Sequence, residues 1–164
     1  MDESPTPKKT IPAAAKSSIS LLPQVPWTKT TTLERLSELA AEVCRQLGRA
    51  GDTVEITLVD DAESRRINRD FLGRDRPTNV ISFASSEPGE LGQLVVNVDF
   101  ARQQSGETGH GHSYLIGYYI LHGLLHLAGY DHERAGDEQA AAMAAKEKAL
   151  QGLLVPLTHD KEGQ

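Results

Sequence analysis

The chain has 164 residues, enough for one domain with a sizeable core. Its formal net charge of −6 excludes a globally basic surface, so any contact with a polyanion must rest on a local patch. The single cysteine, Cys44, excludes a disulfide framework and a thiolate metal cluster, and no apolar run reaches membrane-spanning length.

Residues 1–16 are rich in Pro, Ser, Thr, Lys and Ala and read as a disordered tail. MDESPTPKKT lacks the apolar stretch of a secretory signal, and the first thirty residues contain no arginine, which disfavours an organellar presequence. The expected setting is the cytoplasm. One domain is expected over 17–155, with 156–164 as a C-terminal tail.

Ile19–Leu22 reads as a short strand ended by Pro23 and Pro26. Trp27 follows in a turn-like setting and is expected to pack on the domain. Thr31 or Thr32 caps a helix running to about Ala50, with Leu33, Leu36, Leu39, Ala40, Val43 and Leu47 as its apolar stripe. Cys44 reads as a small core residue on that helix. Val54, Ile56 and Leu58 form one side of a half-buried strand. Asp60 or Asp61 caps a second helix, from Ala62 to about Leu72.

Arg65, Arg66, Arg69, Arg74 and Arg76 fall within twelve residues, against two acids, Asp70 and Asp75. The cluster reads either as a solvated face with intrahelical ion pairs or as a phosphate-binding patch, because the guanidinium fork suits phosphate oxygens. Val80–Ala84 and Leu94–Val98 are expected strands, the adjacent Val95 and Val96 pointing to burial on both faces. Asp99 is placed as cap of a third helix ending near Gly106 or Gly109. His110 and His112, in GHGH, read as solvated loop histidines. Tyr114–Ala128 is apolar nearly all round and should be a buried helix. Glu133–Leu150 completes the set, with Ala141, Met143, Ala144 and Leu150 turned inward.

Three of the six histidines lie in HGLLHLAGYDH, residues 122–132. His122 and His126, four apart, share one helix face. Gly129 supplies the residue that ends helices most readily, so the chain can turn back and bring His132 towards them. Three imidazoles with a fourth position open is the usual arrangement of catalytic zinc. The frame H-x-x-x-H-x-x-G-x-x-H is also that of the metzincin proteases, but their glutamate base is replaced here by Gly123.

This stretch resembles the signature of the YbeY family of rRNA-maturation endoribonucleases, H-G-x-L-H-L-x-G-Y-D-H, at every specified position. NRDFLGRDRPTNVISF resembles the upstream block of the same family, and the spacing of the two blocks fits. The resemblance covers roughly residues 19–155. It implies an α+β fold: a single domain whose small mixed sheet of about four strands packs with helices, the metal site lying on a buried helix and the following turn, zincin-like. It implies zinc, one ion per chain, or another divalent transition metal, on His122, His126 and His132. It implies a single-strand-specific endoribonuclease of rRNA, acting at the 3′ end of small-subunit rRNA and in ribosome quality control. The small ribosomal subunit and its assembly factors are the implied partners.

Two positions depart from the family. Leu72 stands where an arginine is common, which moves the phosphate-binding role to Arg69, Arg74 or Arg76. Gln93 stands where an aspartate is common. The expected RNA-binding set is Arg65, Arg69, Arg74 and Arg76. Arg74 is also a candidate catalytic residue, as is Asp131, which can orient His132 or a water. The rival readings are a metallohydrolase of another substrate, such as a peptide aligned on the strand Leu94–Val98, and a non-catalytic, metal-stabilised ribosome assembly factor.

Overall fold

The structure is a computed structural model and describes residues 19–26, 30–130 and 137–158. The N-terminal tail, Trp27, Asp131 and His132 lie outside the described residues. In chain order the elements are β1 (Ile19–Pro23), α1 (Thr30–Gln46), β2 (Thr53–Val59), α2 (Asp61–Leu72), β3 (Val80–Ala84), β4 (Glu90–Asn97), α3 (Val98–Thr108), α4 (His112–Leu127) and α5 (Asp137–Leu150), followed by a 3₁₀ helix over Gln151–Leu157.

The four strands form one sheet in the order β1-β2-β4-β3. β1, β2 and β4 run parallel, and β3 joins β4 antiparallel, so the sheet is mixed. The alternation seen in β2 carries through the register. Ile56 pairs with Leu94 and Leu58 with Val96, and all four are buried, with α4 packed on β4 and β3 and α1 on β1. On the other face Gln93 donates a hydrogen bond to Glu55 at 3.0 Å. Val95 is only partly buried, so the Val95–Val96 pair does not mark burial on both faces.

α4 is the centre of the core. Leu115, Ile116, Tyr119, Ile120, Leu121, Leu124 and Leu125 on it are buried, as its all-round apolar sequence requires. Two of its glycines allow close packing. A Cβ on Gly117 would meet Leu157 Cδ1 at 2.5 Å, and one on Gly123 would meet Leu94 Cδ2 at 2.7 Å.

Several boundaries differ from expectation. α1 stops at Gln46 because Gly48 takes a left-handed φ of 75° and Arg49 N–H turns back to Cys44 O. Thr31 and Thr32 lie inside its first turn and do not cap it. Asp60 caps α2, accepting from Glu63 N–H. Asn97, not Asp99, caps α3: its side-chain oxygen accepts from the N–H groups of Asp99 and Phe100. On α5 only one stripe turns inward. Met143 and Leu150 are buried while Ala141 and Ala144 are exposed. Leu154 and Leu157 of the 3₁₀ helix are also buried, so packed chain continues past residue 155. Among the described residues no helix is long and apolar enough to cross a membrane.

Candidate functional site

His122 and His126 lie one turn apart on α4, and their Nε2 atoms are 3.2 Å apart. Two nitrogens bound to one tetrahedral zinc at about 2.0–2.1 Å would be separated by about 3.4 Å. The pair therefore already has the bite of a metal chelate. Just beyond, Gly129 takes φ 106°. Its N–H bonds to His126 O at 3.0 Å, and Tyr130 N–H bonds to Leu125 O at 2.9 Å. This crossed pair is the Schellman motif, which closes the last turn of the helix. Among the described residues no cluster of three or more His, Cys, Asp and Glu side chains forms a metal site. Asp131 and His132, the remaining sequence candidates here, fall outside those residues.

One group at this site escaped the sequence reading. Glu147 of α5 brings its Oε2 to 3.6 Å from His122 Nδ1, and its side chain is only 15% exposed. That oxygen is buried, with no hydrogen-bond partner among the described residues. The Tyr118 hydroxyl, one turn before His122, hydrogen-bonds to Glu147; burial and this bond push the Tyr118 hydroxyl well above the ordinary tyrosine range. A carboxylate oxygen beside His122 Nδ1 is the kind of partner that a metal-bound imidazole usually has on its far side. The donor set therefore fits a divalent metal.

A groove of about 300 Å³ opens beside the histidines. His122, Gly123 and His126 line it from α4, Val80, Ile81 and Ser82 from β3, and Asn68, Leu72, Arg74, Arg76, Thr78 and Asn79 from α2 and the following loop. The arginine cluster divides here. Arg65 is paired with Asp75 at 2.8 Å, Arg66 with Glu63 at 2.6 Å, and Arg69 with Asp70 at 3.0 Å. Arg65 holds the Asp75 carboxyl below its ordinary range, and Arg66 does the same to Glu63. No ion-pair partner among the described residues engages Arg74 or Arg76, and these two face the groove.

The loop carrying them is clamped. Asn68 Nδ2 donates to Arg76 O at 2.8 Å. Ser64 Oγ and Thr78 bond reciprocally, each at 3.1 Å, through the Thr78 carbonyl and N–H. Asn97 is 1% exposed and donates from Nδ2 to Asp61 Oδ1 at 2.7 Å and Thr78 O at 3.1 Å. The capping residue of α3 thus also fixes the end of the arginine loop. Leu72 of the groove lining is 48% exposed, and the preceding Phe71, 66% exposed, meets Phe83 edge-on at 5.8 Å.

The other candidates lie apart. His112 is not a solvated loop residue: it is the first residue of α4, 2% exposed, with Nε2 3.2 Å from Val98 O. His110 stacks on Tyr114. Neither lines the groove. Gln93 sits on the far face of the sheet, bonded to Glu55. β4, the strand suggested for aligning a peptide, is internal, with β2 and β3 on its two edges.

Comparison with known proteins shows the family. The family model described as endoribonuclease YbeY matches residues 24–153. The chain is 39% identical over 127 residues to endoribonuclease YbeY of Geobacter sulfurreducens, covering 73% of this chain and 85% of the relative. It is 36% identical over 141 residues to endoribonuclease YbeY of Bacillus licheniformis, covering 77% and 86%. A Thermotoga maritima protein solved in solution superposes with a TM-score of 0.64 at 28% identity, over 84% of this chain and 89% of that one. With its histidine signature on a buried helix and its mixed four-stranded sheet, the chain belongs to the YbeY endoribonuclease family.

Proposed function

We propose that the protein is a metal-dependent endoribonuclease that cuts single-stranded RNA in the maturation of the 3′ end of small-subunit rRNA and in ribosome quality control. The observation that most supports this reading is the composition of one groove, where two facing imidazoles and two arginines with no acidic partner among the described residues line the same space. Imidazole suits zinc, one ion per chain, and equally other divalent transition metals, with His132 as the third ligand. The metal supplies Lewis acidity to a phosphoryl oxygen.

The chain's own residues do the rest. Arg74 and Arg76 bind the RNA backbone, and Arg74 is the residue assigned to offset charge developing at phosphorus. Arg65 and Arg69, tied to Asp75 and Asp70, act through the field they add at longer range. Asp131 is the carboxylate assigned to orient His132. Phe71 offers an exposed ring on which a base can stack. Gly123 provides no carboxylate, so the peptidase reading lacks its base. The partners that follow are the small ribosomal subunit and its assembly factors, in the cytoplasm.

The test uses an end-labelled RNA carrying the 3′ extension of a small-subunit rRNA precursor, incubated with wild type or His126→Ala, with and without chelator. Cleavage by wild type alone, stopped by chelator, is the expected result. Equal cleavage by both proteins indicates a contaminating nuclease. Absence of cleavage by metal-loaded wild type, with or without the small subunit, overturns the catalytic reading in favour of an assembly factor.

A further inference from the structure

α5 is alanine-rich and mostly solvated, yet one stripe of it faces inward: Met143 and Leu150 are buried. Glu147 is four residues after Met143 and three before Leu150, so helical geometry places it on the same stripe. A carboxylate on the packed side of a helix loses hydration and persists only with compensating partners. It has two neighbours on α4, Tyr118 and His122. The Tyr118 hydroxyl hydrogen-bonds to Glu147. The remaining oxygen, Oε2, makes no hydrogen bond among the described residues and stands 3.6 Å from His122 Nδ1. The other ring nitrogen of His122, Nε2, is the one facing His126.

We propose that Glu147 is a positioning residue for His122: its carboxylate accepts a hydrogen bond from Nδ1–H, so that the Nε2 lone pair points at the metal position shared with His126. Tyr118 holds the carboxylate from its other side. A small closing movement would bring the 3.6 Å separation into hydrogen-bond range. Carboxylates in this position fix the imidazole tautomer and raise its basicity, and their loss lowers metal affinity about 10–100-fold. The assignment rests on the metal-site reading proposed above.

The experiment measures zinc affinity by competition with a chromophoric chelator for wild type, Glu147→Ala, Glu147→Gln, Tyr118→Phe and His126→Ala. Melting of each metal-free protein is recorded in parallel. Glu147→Ala should bind zinc about 10–100-fold more weakly. Glu147→Gln, whose amide oxygen still accepts a hydrogen bond from Nδ1–H, should recover part of that loss. It also preserves side-chain volume if the alanine variant fails to fold. In the zinc-loaded wild type the His122 Nδ1 proton should give a slowly exchanging downfield resonance, absent from Glu147→Ala. A merely structural glutamate would lower the melting temperature without moving that resonance or the affinity. Wild-type affinity and an unchanged resonance in the folded Glu147 variants overturn the assignment while leaving the metal site standing. Failure of wild type to bind zinc more tightly than His126→Ala overturns both together.

Discussion

His122 and His126 face each other through Nε2 atoms 3.2 Å apart, within hydrogen-bond distance. The spacing comes from one turn of a helix buried in the core. Divalent metal should therefore bind a preformed pair and stabilise the folded state by mass action, by about 2.7 kcal/mol when metal stands at 100 times its Kd. Calorimetry should show a melting temperature that rises with zinc and falls back with chelator. His126→Ala should retain the metal-free melting temperature closely and lose the zinc response.

Arg74 and Arg76 should carry the salt-dependent part of RNA binding. Each released counterion contributes about 0.7 to the slope of log affinity against log salt for single strands. Changing both arginines to Ala should reduce that slope by about 1.4 in a fluorescence-anisotropy titration. Arg65→Ala removes a charge already matched by Asp75 and should change the slope far less. Equal effects from the two variants would contradict the division of the cluster.

Phe71 is exposed, one residue before Leu72 of the groove lining, and its ring meets Phe83 edge-on. Phe71→Ala should weaken single-stranded RNA binding by about 1–3 kcal/mol, the usual contribution of one stacked base. Phe71→Trp should preserve binding, because stacking needs an aromatic face and no particular hydrogen bond. Thermal stability should stay close to wild type in both.

Asn97 serves two elements at once, capping α3 and holding Asp61 and the Thr78 carbonyl. Asn97→Ala should cost about 2 kcal/mol from the lost cap and the buried acceptor left unmatched. For a domain of this size that is roughly 4–8 °C in Tm. RNA affinity should fall as well, because the Arg74–Arg76 loop loses an anchor.

Cys44 is buried, and burial pushes its thiol from 9.0 up to about 11. The native protein should resist thiol reagents at neutral pH and react fully in denaturant. The linkage has a definite sign. The folded thiol keeps its proton where the unfolded one has lost it, so this contribution to stability declines as pH rises from about 9 to about 11. Cys44→Ala should show a shallower decline over that window in urea denaturation.

Much of the centre was legible in the chain because it follows from helical period. His122, His126 and the terminating Gly129 sit where spacing alone puts them. The division among the arginines was not legible. It depends on Asp75, in a loop, folding back against Arg65 of the preceding helix. Glu147 was hidden for a different reason: the alanines around it are indifferent to burial, so α5 has no clear apolar face to reveal which side turns inward. His112 was misread because glycines surround it, yet Gly111 marks a helix start and the imidazole turns in to meet Val98 O.

Gly123 bears on how this chain relates to the peptidases that share its histidine frame. Glycine and glutamate codons can differ by a single base, so the missing base looks one mutation away. The place a side chain would enter is filled by Leu94 of the neighbouring strand. A glutamate there would need Leu94 to shrink or α4 to lift from the sheet before any chemistry could be selected. The distance between a helix and a sheet thus sets the order in which substitutions are accessible, and it places a glutamate at this position of the histidine frame beyond the shortest genetic route.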